Sequence, residues 1–274
     1  AFDPFFLELL ETCILQDNDA VARMGNSCLQ ELIHDNALRF DSGHWHLISS
    51  RIVKLFKDTT ASKLLSREVL DDENIDGAAV FRTMIAKTVQ TLLVIETVRF
   101  LLVGSTTVFT AMPMSEMLRV LSRLQNAYNF ARSFNRQLDL RLELYKRGFV
   151  KQTPNLLLQE SVAAQTYVSS AMRLFKSRER FVMDPPARID ISEELIPLCL
   201  QTIKDFSRLQ PTDARYIAKL APIVESVLRH VSSFDREDFS EFGGGFYFYV
   251  VDIIGKELPP KLRAEVQVYL RRFG

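Results

Sequence analysis

Glycine and proline are scarce in this sequence, with ten of each among 274 residues. Strands and tight hairpins depend on both residues, so their scarcity leaves little material for a sheet. There are three cysteines, Cys13, Cys28 and Cys199, and no Cys-x-x-Cys pair. An odd number of scattered cysteines does not suit a disulfide framework, and we therefore expect a reducing compartment.

Net charge and long apolar runs are also missing. The chain has 34 basic and 34 acidic residues, so no overall field draws it towards nucleic acid. The most apolar stretch, residues 92–103, contains Glu96 and Arg99 and is too short to span a bilayer. Because the sequence begins Ala-Phe-Asp-Pro without a methionine, we expect it to be part of a longer protein.

Signals of catalysis or metal binding are absent from the sequence. It contains neither a phosphate-binding Gly-x-x-x-x-Gly-Lys motif nor a Gly-x-Ser-x-Gly nucleophile turn. His44 and His46 are two residues apart, which places them on different faces of a helix. The glycine run 243–245 has no strand before it and no lysine after it, which indicates a helix break. We therefore expect no catalytic centre, no cofactor and no metal site.

Helical periodicity, by contrast, runs along nearly the whole sequence. Helix pairs recur about every 40 residues, which is the period of HEAT and armadillo arrays. Short connections between long helices favour antiparallel neighbours. We predict an all-α fold, an irregular HEAT/armadillo-like α-solenoid of antiparallel helix pairs, with a compact helical bundle as the alternative.

Two apolar stripes illustrate this periodicity. A helix near the N-terminus repeats Val21, Met24, Cys28 and Leu32 at helical spacing. The clearest stripe comprises Met114, Met117, Leu121, Leu124, Tyr128, Ala131 and Phe134. We predict that its central residues are buried between helices.

The predicted domain organisation has three parts. Residues 1–67 are expected to form N-terminal helical repeats. Residues 68–77 are acidic, lack an apolar stripe and are predicted to be a linker or loop. Residues 78–274 are expected to form a C-terminal helical-repeat region that continues the first.

Charge is unevenly distributed along the chain. Residues 1–118 carry 10 basic and 16 acidic residues, residues 119–180 carry 12 and 4, and residues 184–274 carry 12 and 14. The basic island in the middle offers a candidate surface: Arg119, Arg123, Arg132, Arg136, Arg141, Lys146, Arg147 and Lys151. The first four lie off the apolar stripe and should face solvent. The island is either a solvated face or a contact for an acidic protein or an anionic membrane.

A second candidate contact is aromatic. Phe246, Tyr247, Phe248 and Tyr249 are consecutive. Four consecutive side chains cannot all face one core, so at least one should be exposed or lie at a contact. Core packing is the alternative for the others.

Five segments of the sequence resemble the large Arf guanine-nucleotide exchange factors of the Sec-seven and BIG type. The similar segments are Ala22 to Ile48, Leu92 to Val98, Ala127 to Glu160, Glu193 to Cys199, and Phe246 to Gly255, the last two being similar to fungal members. The resemblance to AYNFARSFNRQLDLRLELYKRGFVKQTPNLLLQE, at residues 127–160, is the strongest.

This resemblance implies a place in the parent protein. The family's catalytic domain inserts a glutamate into the Arf nucleotide site, and nothing like its FRLPGEAQKI loop occurs in this chain. The chain is therefore expected to lie downstream of that domain and to be non-catalytic. Such regions act through autoinhibition, dimerisation, GTPase feedback and recruitment to the trans-Golgi network.

Three functions remain open at this point. The first is a regulatory scaffold that is cytoplasmic and peripheral on Golgi membranes. Its expected partners are an Arf- or Rab-type GTPase, the rest of the parent protein, a second copy, or anionic Golgi lipid. The second is a helical-repeat adaptor that binds cargo or other trafficking proteins. With Trp45 as the only tryptophan, the chain lacks the Trp-Asn ladder of such adaptors. The third is an enzyme.

Overall fold

Every regular element that the structure describes is a helix, which confirms the predicted all-α class. The computed structural model describes residues 4–61, 76–139, 142, 146, 156–177 and 191–274. Residues 68–75 of the predicted acidic linker lie outside these ranges. The predicted domain boundaries stay predictions.

The chain divides into two compact units between Thr166 and Tyr167. The division falls within the seventh helix, α7. The first seven helices are α1 (Pro4–Ile14), α2 (Asp19–Asn36), α3 (Ser42–Thr59), α4 (Gly77–Arg99), α5 (Thr106–Ala111), α6 (Met114–Arg136) and α7 (Leu157–Lys176). The remaining helices are α8 (Ile191–Ser207), α9 (Ala214–Ser232), α10 (Arg236–Phe242), α11 (Tyr247–Ile254) and α12 (Pro260–Leu270). Short 3-10 segments are Ala37–Arg39, Pro211–Asp213, Gly243–Phe246 and Arg271–Phe273, and a π-helical turn occupies Phe100–Gly104.

Side-chain caps determine where α2 and α3 begin. The Asn18 side chain accepts hydrogen bonds from the backbone nitrogens of Ala20 at 3.0 Å and Val21 at 3.3 Å. The Asp41 carboxylate accepts one from the His44 backbone nitrogen at 2.9 Å. Each cap satisfies backbone donors that have no partner within the helix.

The buried face of α2 is not the apolar stripe that the sequence suggested. Val21 is 38% exposed and Met24 is 68% exposed. The buried residues are Ala22, Gly25, Asn26, Leu29 and Ile33. A Cβ atom at Gly25 would lie 2.7 Å from the Cβ atom of Cys13, so the absent side chain lets α1 approach closely. The first half of this face consists of small residues because close helix contact, and not hydrophobicity alone, decides which side is buried.

The predicted stripe of α6 is the inner face of that helix. All seven of its residues are buried, and Met117, Leu124 and Ala131 have no exposed surface. The helix packs against α3 and α4, and α4 also contacts α2. On α3, Trp45, Ile48 and the rest of its apolar face are buried as well. Helical spacing of apolar residues therefore predicted this part of the core correctly.

In the second unit, α9 packs against α8 and α12, and α11 contacts α8 and α12. The C-terminal segment is tied to this core by polar contacts. The Tyr269 hydroxyl donates to the Gly243 carbonyl at 2.7 Å. Arg272 donates to the carbonyls of Ser232 at 2.7 Å and Phe234 at 2.8 Å, where it satisfies acceptors at the end of α9.

Truncation of the α6 core should be costly. Leu124 is fully buried, so Leu124→Ala removes apolar contacts and leaves a cavity. We expect a loss of about 2–5 kcal/mol in the free energy of unfolding, measured by urea denaturation. Ser122→Ala, at an exposed position of the same helix, is the control and should change stability by less than about 0.5 kcal/mol. Equal stability of the two variants would contradict the packing.

Candidate functional site

The four arginines of α6 differ in exposure. Arg123 and Arg136 are exposed, whereas Arg119 and Arg132 are half-buried. Of the remaining members of the basic island, Lys146 is exposed, and Arg141, Arg147 and Lys151 lie outside the described residues. All four side chains lie off the apolar stripe and are at least partly exposed, as expected, but partial burial of Arg119 and Arg132 indicates that they also contact the rest of the molecule.

Arg119 belongs to a polar cluster where α6 meets α3. Its Nη1 atom lies 3.5 Å from Glu116 Oε2, and the Oε1 atom of the same carboxylate lies 3.0 Å from His46 Nδ1. The buried Ser49 hydroxyl also donates to Glu116. Burial alone would raise the pKa of Glu116, but the hydrogen bonds from Ser49 and His46 and the charge of Arg119 hold that pKa below its ordinary value. Glu116 is therefore held as a carboxylate that bridges the two helices.

Arg136 and Arg132 lie beside a second carboxylate, that of Glu160 in the first turn of α7. Glu160 is only 2% exposed. The Asn135 side-chain amide donates to Glu160 Oε2 at 2.7 Å, and Arg136 Nη1 donates to Oε1 at 3.3 Å. Burial raises the pKa of Glu160, and the hydrogen bond from Asn135 and the charges of Arg136 and Arg132 only partly oppose that increase. The cluster thus links the end of α6 to the start of α7.

The basic island is therefore partly neutralised inside the molecule. Arg119 and Arg136 form ion pairs with carboxylates of the first unit. Arg123 is exposed and forms no ion pair with another described residue. Charge reversal at Arg119 or Arg136 would set two negative groups side by side, so we expect those substitutions to lower the melting temperature. Arg123 is the α6 position at which charge can be tested without disturbing a known ion pair.

The consecutive aromatic residues divide between core and surface. Phe246 is fully buried, Tyr249 is half-buried, Tyr247 is 39% exposed and Phe248 is 78% exposed. This confirms that at least one of the four is exposed. The glycine run 243–245 is part of a short 3-10 segment that breaks the helical path before α11, as predicted.

The sequence analysis did not predict that two further apolar residues of α11 are exposed beside Tyr247 and Phe248. Val251 is 43% exposed and Ile254 is 48% exposed. The signal was available in the sequence, because Tyr247, Val251 and Ile254 recur at positions i, i+4 and i+7 of one helix. Because seven of the eight residues of that helix are apolar or aromatic, periodicity could not show which side is buried.

Metal binding, membrane spanning and nucleophilic cysteine chemistry can each be compared with the described part of the chain. Its residues contain no group of three or more potential metal ligands. None of its helices is both long enough and apolar enough to cross a bilayer. Burial raises the pKa of the Cys199 thiol, which keeps the thiol protonated and unreactive. His44 takes part in the cap of α3 and His46 contacts Glu116, so each histidine has a structural contact.

Where the structure describes the chain, these features define an all-helical protein with exposed basic and aromatic side chains. Residues 88–271 match the family model of the BIG2 C-terminal domain. The chain belongs to this family, which confirms the resemblance noted in the sequence. No solved structure matches the chain significantly.

Three relatives are fungal Arf exchange factors. The chain is 30% identical to the ADP-ribosylation factor guanine nucleotide-exchange factor sec72 of Schizosaccharomyces pombe, over 98% of the chain and 17% of that protein. It is 24% identical to sec71 of the same organism, over 92% of the chain and 16% of that protein. It is 25% identical to SEC7 of Saccharomyces cerevisiae, over 98% of the chain and 18% of that protein. The chain thus spans less than a fifth of the length of these curated relatives.

The buried carboxylate of Glu160 should give the protein a specific pH dependence. Because its folded-state pKa is raised, the folded protein holds this proton at a pH where the unfolded chain has lost it. The parent should therefore lose stability as pH rises from the ordinary glutamate pKa to the raised value, and Glu160→Gln should lack this loss. Urea denaturation between about pH 4 and pH 7 measures the difference.

Glu116→Gln is the matched control for that experiment. The pKa of Glu116 is lowered, so its contribution to stability is present above the ordinary glutamate pKa and is lost as pH falls. For each variant, the free energy of unfolding is subtracted from that of the parent. This difference should fall with rising pH for Glu160→Gln and rise with pH for Glu116→Gln. If the stability difference between the parent and Glu160→Gln stays constant or grows with pH, burial does not dominate the pKa of Glu160.

Proposed function

We propose that this chain is a non-catalytic regulatory and scaffolding segment of a large Arf exchange factor. The observation that carries the proposal is the family match over residues 88–271 in a chain that spans less than a fifth of relatives named as exchange factors. The proposed partners are an Arf- or Rab-type GTPase, the rest of the parent protein, or a second copy of the chain. The proposed place of action is the cytoplasmic surface of trans-Golgi membranes.

The proposal includes an irregular solenoid of helix pairs as the scaffold. Helices that are close in sequence pack together, as α1 does with α2, α3 with α4, and α8 with α9. Such packing suits a repeat array, in which each helix pair covers the next. It also leaves a series of outward-facing helix surfaces, such as the exposed side of α6 with Arg123.

The alternative is an adaptor that binds cargo or other trafficking proteins. The single tryptophan, Trp45, is 1% exposed and belongs to the core of the first unit. It is therefore not part of an exposed ladder that could bind an extended peptide. This observation favours the regulatory segment over the adaptor.

A nucleotide-release assay tests the non-catalytic role. Arf loaded with a fluorescent guanosine diphosphate is mixed with the 274-residue chain, and the release rate is compared with the intrinsic rate. We expect no acceleration, because the chain has no candidate for the glutamate loop that the family uses. A catalytic domain of a related exchange factor serves as the positive control. Faster release with the isolated chain would overturn the proposal.

Charge reversal at Arg123 tests whether the exposed side of α6 is a contact. We expect Arg123→Glu, combined with Lys146→Glu, to weaken binding to a GTPase or to anionic liposomes about tenfold at physiological salt, with little change in melting temperature. Arg215 is another exposed arginine, on α9, so Arg215→Glu is the matched control and should bind as the parent does. If the double variant binds every tested partner as the parent does, the basic island is only a solvated face.

A further inference from the structure

The apolar stripe that the sequence suggested for α2 lies partly on the outside of the first unit. Met24 is 68% exposed, and Val21, three residues earlier, is 38% exposed. On the neighbouring α1, Phe5 is 70% exposed, Phe6 is 44% exposed and Leu9 is 48% exposed. A single exposed apolar residue needs no explanation, but five of them on two adjacent helices indicate a contact surface.

Contacts with α3 and α4 show which side of α1 and α2 faces the rest of the unit. On α1, the buried Glu11 forms ion pairs with Arg51, at 3.0 Å, and with Lys54, both on α3. On α2, the buried Asn26 side chain accepts a hydrogen bond from the Thr97 hydroxyl of α4. Glu11 therefore marks the side of α1 that faces α3, and Asn26 marks the side of α2 that faces α4.

Leu9 and Met24 point away from α3 and α4. Each residue of an α-helix is rotated by about 100° from the one before it, so residues two apart lie about 160° from each other around the axis. Leu9 is two positions before Glu11, and Met24 is two positions before Asn26. Phe5 is four positions before Leu9 and lies on the same side of α1. Both helices thus carry exposed apolar side chains on the side away from α3 and α4.

Close packing of α1 on α2 joins these side chains into one surface. A Cβ atom at Gly25 would lie 2.7 Å from the Cβ atom of Cys13 and 3.2 Å from the Leu10 carbonyl oxygen. Met24 is adjacent to Gly25, and Leu9 is one turn away from Cys13 on the same side of α1. The surface is called the outer face below and comprises Phe5, Phe6, Leu9, Val21 and Met24.

An apolar outer face is unusual for the last layer of a helical array. In such arrays each layer is covered by the next, and a terminal layer stays soluble because its outer surface is polar. In the first unit, α1 packs against α3 and α2 against α4, and α6 also packs against α3 and α4. The outer face of α1 and α2 has the apolar character of a layer that is covered.

The size of the relatives indicates what covers the outer face. The chain covers 17% of sec72 and 18% of SEC7, so more than four fifths of each relative lies outside the matched region. A parent protein of that size has ample polypeptide to supply further helices. A segment of the same polypeptide is also present at a high effective concentration, which favours it over a separate molecule.

We infer that the outer face is covered, in the parent protein, by a pair of amphipathic helices from outside these 274 residues. The apolar side chains of that pair pack against Leu9 and Met24, on the side opposite to α3 and α4. The inference rests on the proposed function in that the chain is a segment of a larger exchange factor. It adds that α1 and α2 form an internal layer of a helical array and not its end.

Thiol labelling tests the inference, because a covered side chain is shielded from a reagent. Met24→Cys is introduced into the 274-residue chain and into the full-length parent protein, and its reaction with a maleimide is followed by tandem mass spectrometry, which separates position 24 from Cys28. We expect labelling at position 24 to be at least about tenfold slower in the full-length protein. Ser122→Cys, at an exposed position of α6, is the control and should react at similar rates in both.

Leu9→Asp tests the contact from the other helix. In the full-length protein it would bury a carboxylate without a partner, so it should speed labelling of Met24→Cys at least about fivefold. In the 274-residue chain, residue 9 is already about half exposed, so labelling and melting temperature should change little. Leu38→Asp is the matched control, since Leu38 is an exposed leucine of the 3-10 turn after α2, and it should leave the labelling rate unchanged.

Three outcomes would overturn the inference. Equal labelling of Met24→Cys in the two proteins would show that no helix pair covers the outer face. Labelling of the isolated chain that slows with rising protein concentration would show that a second copy covers it. Protection of the full-length protein only when anionic vesicles are added would make the face a membrane contact. None of these results depends on nucleotide release from Arf, so the inference and the proposed function can fail separately.

Discussion

Burial of one face of α6 against α3 and α4 determines where the charged side chains of α6 lie. The stripe from Met114 to Phe134 has one energetically acceptable orientation, because turning the helix would expose seven apolar side chains. With that orientation, Arg119 and Arg136 lie at the margins of helix contacts rather than in open solvent. Each margin carries a carboxylate, Glu116 on α6 itself and Glu160 at the start of α7.

The two carboxylates show that similar ion pairs have different consequences in different surroundings. Glu116 accepts hydrogen bonds and lies close to His46 and Arg119, and its pKa is lowered despite desolvation. Glu160 is almost fully buried and its ion-pair partner, Arg136, is exposed, so desolvation dominates and the pKa is raised. A basic segment in the sequence is therefore not equivalent to a basic surface. The part of the island that remains available for a partner is smaller than the count of arginines suggests.

The second unit depends on its C-terminal segment. The core there is completed by the C-terminal segment, where Tyr269 and Arg272 bond to backbone carbonyls and Phe273 packs on Tyr247. These contacts account for the inner side of α11, whereas Phe248 on its outer side is 78% exposed.

The sequence by itself determined the helical class, the inner face of α6, the break at residues 243–245 and the membership of an exchange-factor family. Each of these depends on local spacing or on similarity over long segments, which a linear pattern records. Only the tertiary structure decided which face of α2 is buried, because Gly25 allows the close approach of α1 and glycine carries no hydrophobic signal. Tertiary structure also decided that Arg136 contacts the carboxylate of Glu160, and that Phe248 is exposed while Phe246 is buried. Those outcomes depend on residues distant in sequence, or on which side of an apolar helix meets the core, and helical periodicity contains neither kind of information.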